Sequence, residues 1–136
     1  MVETEERVPI ANEQDIIFAR QRAREIAKAL GFGMVDQSRI ATAVSELTRN
    51  VVRYATRGQG EAYIRTLGAD QAGIEIIVAD EGPGIENIDE ALREGFTSGR
   101  GMGMGLPGAR RLMDELTIDS VPGRGTVVTV RKWRRR

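Results

Sequence analysis

The chain has 136 residues, with 20 basic and 20 acidic side chains and neither cysteine nor histidine. Disulfides, thiolate metal sites, a cysteine nucleophile, serine–histidine hydrolysis and a self-phosphorylated histidine are thereby excluded, and the length fits a single domain, 1–136. Five of the cations crowd into RKWRRR at 131–136, leaving 15 against 20 acidic groups, so the body is acidic and lacks the basic face of a nucleic-acid binder.

The N-terminal MVETEERV has no signal-peptide core, and no apolar run approaches the roughly 18 residues of a membrane span, so the expected location is the cytoplasm. RVPIA, 7–11, predicts a short edge strand, where Pro9 is tolerated. Asn12 then offers an N-cap, and Ile16, Ala19, Ala23, Ile26 and Leu30 recur at helical spacing up to Gly31, predicting a helix over 13–30. Asp36 is the next expected N-cap, and Ile40, Val44, Leu47 and Val51 carry an apolar stripe to about Tyr54. TRGQGE closes that helix, and 61–67 with 73–79 read as a hairpin.

One or two helical turns are expected over 87–94, before TSGRGMGMG places glycine at alternate positions, which no packed element tolerates. LPGARRL, 106–112, resumes as a helix, and LTIDS and GTVVTVRKW supply two more strands around a VPGRG turn. The pattern predicts an α/β (α+β) two-layer sandwich, a mostly antiparallel mixed sheet with its helices on one face. The basic tail, 131–136, reads either as a solvated terminus or as a contact for a partner or membrane surface.

Three segments carry candidate chemistry. In SELTRNVVRYA, 45–55, Glu46 and Asn50 are four apart and project from one side of the helix, bordering its apolar stripe. A carboxylate there can accept a proton, and an amide oxygen can bind Mg²⁺, which prefers oxygen ligands and keeps waters for phosphate; Arg53 can meet the same phosphates. The same trio also suits a wet helix margin. In ADEGPGI, 79–85, Asp80 ends a strand where a carboxylate can accept the exocyclic N–H of adenine, and Gly82 and Gly84 let a flat ligand approach the backbone. The alternative is an acidic cap on an ordinary Gly-Pro turn. The glycine run, with Arg100 as its cation, can wrap phosphates with backbone amides and feeds into the helix beginning near Leu106, or else is a disordered loop.

In this order, helix, strand turn and glycine run resemble the N, G1 and G2 boxes of the GHKL (Bergerat-fold) ATPase and kinase superfamily. The SELTRN wording and the small size look like its bacterial anti-sigma and switch serine/threonine kinases, most of all the RsbT-type kinases of the stressosome, over about 7–132. The resemblance implies ATP or ADP with Mg²⁺ as cofactors. It implies Asn50 as the Mg²⁺ ligand, Glu46 as base, and Asp80 reading adenine with Gly82, Gly84 and Ile85 beside it. Arg53, Arg100, Gly101, Gly103, Gly105 and Leu106 would attend the phosphates, and Thr126 would match the family's threonine near the adenine.

Neither dimerisation helices nor a phosphoacceptor histidine of a two-component sensor is present in the sequence, so the acceptor is expected on another protein. The resemblance implies a Ser or Thr of a STAS-domain partner, and after release a PP2C-type phosphatase or a sigma factor as the next partner. The alternative is an anti-sigma factor or nucleotide-gated binding module with little or no catalysis. Arg20, Arg24 and Lys28 at four-residue spacing offer a docking row or a solvated face. Nucleic acid is not expected as a partner, and the oligomeric state, homodimer included, stays open.

Overall fold

The polar N-terminal stretch forms a longer strand than its composition suggests. In the computed structural model, which describes residues 2–68, 71–82 and 105–135, β1 spans Val2–Ile10 rather than 7–11. Its first half has no apolar alternation to reveal it. It is held instead by partners on β2 (Gly60–Leu67): Arg65 Nε donates to Glu5 Oε2 at 2.5 Å, the Thr4 and Thr66 hydroxyls lie 2.7 Å apart, and Arg7 pairs with Glu61. Pro9 lies on this edge strand, opposite Glu61, where a missing amide donor costs nothing.

Helix α1 (Glu13–Ala29) starts as expected: Asn12 Oδ1 accepts from the Asp15 N–H at 3.0 Å. It ends in a Schellman turn, with Gly31 at φ +93°, its N–H donating to the Lys28 carbonyl and the Phe32 N–H to the Ala27 carbonyl, both at 3.0 Å. Buried Phe32 packs beneath this turn. Helix α2 (Met34–Tyr54) begins two residues before the expected cap. Gly33 holds the cap position in extended conformation, and Asp36 lies inside the first turn, where it pairs with Arg39 at 3.1 Å. An acidic residue in the first turn interacts favourably with the helix dipole without being the cap.

After a single 3₁₀ turn at Thr56–Gly58 come β2, β3 (Gly73–Asp80), the short helix α3 (Leu106–Leu112), β4 (Glu115–Val121) and β5 (Gly125–Trp133). The sheet order is β1-β2-β3-β5-β4, and all four pairings among the described strands are antiparallel. The turns expected over 87–94 lie outside the described residues.

The helices cover one face of the sheet. Val8, Ile64, Ile76, Val78 and Val130 meet Ala23, Ile40, Val44, Leu47 and Val51, all essentially without exposure, and each large aliphatic side chain so buried contributes roughly 1.5–3 kcal/mol. On the opposite face one register row crosses all five strands as alternating charges: Glu5, Arg65, Glu75, Arg131, Glu115. Glu75, its side chain only 5% exposed, accepts from Arg65 Nη1 at 3.4 Å and from Arg131 Nε at 2.6 Å.

Much of the described part of the basic tail, 131–135, is tied into the fold, although the Arg135 side chain stays 66% exposed. Residues 131–133 belong to β5; Arg134 Nη1 donates to the Leu30 carbonyl at 3.1 Å, Arg135 Nη2 to Asp114 Oδ1 at 2.8 Å, and Trp133 Nε1 to Glu115 Oε2 at 2.9 Å. Carbonyls at helix ends, Asp114 after α3 and Glu115 on β4 take up these donors internally.

Candidate functional site

Helix α2 sets Glu46 and Asn50 at the margin of the core, as their spacing predicts. Asn50 is buried, Glu46 is half-buried, and Arg53, one turn on, is exposed and reaches no ion-pair partner among the described residues. The cation that does reach Glu46 is Arg49, whose Nη1 lies 3.3 Å from Oε1. The sequence reading passed over Arg49; the three-residue spacing within SELTRN was the available signal.

Gly105, immediately before α3, lies against this carboxylate. It has φ +84°, and a Cβ built on it would fall 2.6 Å from Glu46 Oε2. Leu106 is buried in the core rather than turned outward, at the first position of α3. Gly84, Ile85, Arg100, Gly101 and Gly103 lie outside the described residues.

Asp80 closes the inner face of β3, paired across the sheet with Gly60 on one side and Thr126 on the other. Two absent side chains make room for the crossing. A Cβ at Gly125 would lie 2.2 Å from the Asp80 carbonyl, and one at Gly60 would meet Val51 Cγ1 at 2.8 Å and Asp80 Cβ at 3.2 Å. Val51 follows Asn50 on α2, so the end of α2 and the end of β3 are separated by a single van der Waals layer at Gly60. Gly82, just beyond, is a buried bend.

The Asp80 carboxyl is short of partners. Oδ1 is buried with no hydrogen bond among the described residues, and desolvation pushes the pKa up to about 6, against a smaller opposing effect from the Thr126 backbone hydrogen bond. Thr126 is buried, its hydroxyl 3.0 Å from that of Ser120. A buried acceptor without a donor costs free energy until something supplies one, so Asp80 keeps an acceptor in reserve.

An open cleft of about 770 Å³ at this end of the sheet includes Arg7, Arg57, Glu61, Ala79 and Asp80. Arg7, Glu61 and Ala79 belong to the face opposite α2 and Ile10, Gly60 and Asp80 to the face that α2 covers, so the cleft opens around the end of the sheet, and neither Glu46 nor Asn50 lines it. No group of three or more acidic side chains that could hold a metal ion occurs among the described residues. Only an ion that keeps water and phosphate ligands fits a single amide such as Asn50.

Residues 10–132 match the model of the histidine kinase-like ATPase domain. The chain belongs to that family. Within it, the chain is 49% identical over 129 residues to the serine/threonine-protein kinase RsbT of Bacillus subtilis (strain 168), covering 94% of this chain and 96% of RsbT. It is 34% identical over 128 residues to the anti-sigma F factor of Caldanaerobacter subterraneus subsp. tengcongensis, covering 91% and 89%. Among solved structures it resembles the RsbU and RsbW domains of a Mycobacterium tuberculosis protein at TM-score 0.67 and 22% identity, covering 98% of this chain and 34% of that one. The catalytic domain of histidine kinase ThkA follows at TM-score 0.59 and 15% identity, covering 95% and 96%. At these identities the structural likenesses establish the fold alone: the α/β sandwich of the histidine kinase-like ATPases. No helix among the described residues is long and apolar enough to cross a membrane.

Proposed function

We propose that the protein is an ATP-dependent protein serine/threonine kinase that phosphorylates a STAS-domain partner and, once released, regulates a second partner such as a PP2C-type phosphatase. The observation that carries this reading is the buried carboxylate oxygen of Asp80 beside Thr126, without a hydrogen-bond partner among the described residues, at the position where this ATPase family needs an adenine reader. Its likeness to RsbT selects protein phosphorylation among the activities of the fold. A cytoplasmic location goes with it.

Bound Mg-ATP would supply the transferable phosphoryl group and its neutralising cation. Asp80 would accept the adenine amino N–H and reject a purine that presents an acceptor there. Asn50 would give its amide oxygen to Mg²⁺. Glu46, steadied by Arg49 and confined by Gly105, would take the proton of the incoming Ser or Thr hydroxyl. That oxygen forms the new bond to phosphorus while the bond to the ADP oxygen breaks, with positioning and charge supplying most of the rate. Gly101, Gly103 and Gly105 would offer backbone amides to the phosphates, with Arg53 and Arg100 near them. Arg20 and Lys28 on α1, both exposed, would meet an acidic partner surface.

The likeness to anti-sigma F factors favours one second reading, a nucleotide-gated module that sequesters a sigma factor. Transfer of labelled γ-phosphate to a purified STAS-domain protein separates the two. The kinase reading expects transfer by the wild type and none by Glu46→Ala, which still binds nucleotide; stable complex formation without transfer supports the module instead.

A further inference from the structure

Lys132 is a lysine with little contact with water: its side chain is 8% exposed on the helix-covered face of β5. Buried ammonium groups persist only where they are paired and hydrogen-bonded. Its Nζ donates to the carbonyl of Leu112, the last residue of α3, at 2.9 Å, and lies 3.8 Å from Asp36 Oδ1 in the first turn of α2 and 3.9 Å from Asp114 Oδ1 just after α3. One side chain thus joins the C-terminal end of α3 to the N-terminal turn of α2. At the other end of α3, Gly105 rests on Glu46 of α2. The seven residues of α3 span about 10 Å between the two places, so α3 is tied to α2 through Lys132 at one end and lies close against it at Gly105 at the other. Two residues on, Arg134 makes the equivalent bond to the Leu30 carbonyl at the end of α1, remote from Glu46.

We propose that Lys132 is a positioning residue of the nucleotide site, holding α3 so that Gly105 and Glu46 keep the spacing that ligand binding needs. The proposal rests on the nucleotide reading above. Neither the charge nor the spacing of RKWRRR assigns this role; the burial of Lys132 and its three partners on α2, α3 and the segment after α3 do.

The test is calorimetry with Mg-ADP on the full chain. Lys132→Met keeps the stem and removes the donors, and is expected to weaken binding about tenfold. Lys132→Arg, which can still donate to Leu112, is expected to recover most of it. Arg134→Met removes a comparable helix-end bond on α1, and is expected to lower the unfolding midpoint with unchanged affinity. Unchanged affinity in Lys132→Met, or an equal loss in Arg134→Met, overturns the proposal. A wild type that binds no Mg-ADP overturns the nucleotide reading instead. Should Lys132→Met not fold, amide exchange on the wild type decides. The Met113 N–H, bonded to the Ala109 carbonyl at 3.1 Å, exchanges more slowly with Mg-ADP bound if α3 is coupled to the site, and at the same rate if it is not.

Discussion

Gly105 faces Glu46 closely enough that a methyl group added at its α-carbon would fall 2.6 Å from Glu46 Oε2 and 3.2 Å from Glu46 Cβ. The glycine also holds φ +84°, where an L side chain costs about 1–2 kcal/mol. Gly105→Ala should therefore lose roughly that stability in urea unfolding. It should also slow phosphate transfer to the acceptor, because the Glu46 carboxylate must move from its position beside Gly105. A variant as stable and as active as the wild type would mean that the contact does not constrain Glu46.

Asp80 gives a pH signature. Its folded pKa of about 6 lies above the ordinary 3.8, so folding favours the protonated acid. The resulting contribution is fully present below pH 3.8 and is lost as pH rises through about 6. Asp80→Asn, neutral throughout, should gain stability relative to wild type as pH rises across that window and hold a constant advantage above it. Nucleotide affinity should move the opposite way, weakening as pH falls through about 6 and the proton occupies the acceptor. Urea midpoints and ADP titrations at several pH values check both; a stability difference independent of pH would contradict the buried carboxylate.

On the open face of the sheet, Glu75 sits between Arg65 and Arg131 with almost no exposure. Glu75→Ala removes the carboxylate shared by Arg65 and Arg131, which keep Glu5 and Glu115, and should cost about 1–3 kcal/mol. Because the row lies on the face away from Asn50 and Asp80, Mg-ADP affinity should be unaffected. A stability loss of under about 0.5 kcal/mol would mark the row as ordinary solvent-screened surface pairs.

The stripe through Ile40, Val44, Leu47 and Val51 made α2 legible, and with it the shared side of Glu46 and Asn50, because helical period and core burial coincide there. Asp80 was legible because a continuous apolar strand runs into glycines. The first half of β1 was not: its strand state depends on Arg65 and Thr66, sixty or more residues away in sequence. In RKWRRR the strand as far as Trp133 was legible, but the partners of Lys132, Arg134 and Arg135 were not, since Leu112, Leu30 and Asp114 arrive from elsewhere in the chain. Asp36 misled locally, as a good cap residue displaced by Gly33 at the actual helix start.

Truncation after Trp133 tests that reading of the C-terminus. Losing the Arg134 bond to Leu30 and the Arg135 bond to Asp114 should cost about 1–2 kcal/mol, read from the thermal midpoint. No change in stability would return these arginines to the status of a free tail.

The central claim is that Asp80 reads adenine in a Mg-nucleotide site, and calorimetry of the wild type against Asp80→Ala with ATP, ADP and GTP tests it most directly. The account predicts saturable heat with ATP and ADP for the wild type, none with GTP, and none for the variant at the same concentrations. Equal binding of GTP and ATP, or an Asp80→Ala protein that binds ADP as tightly as the wild type, would contradict it.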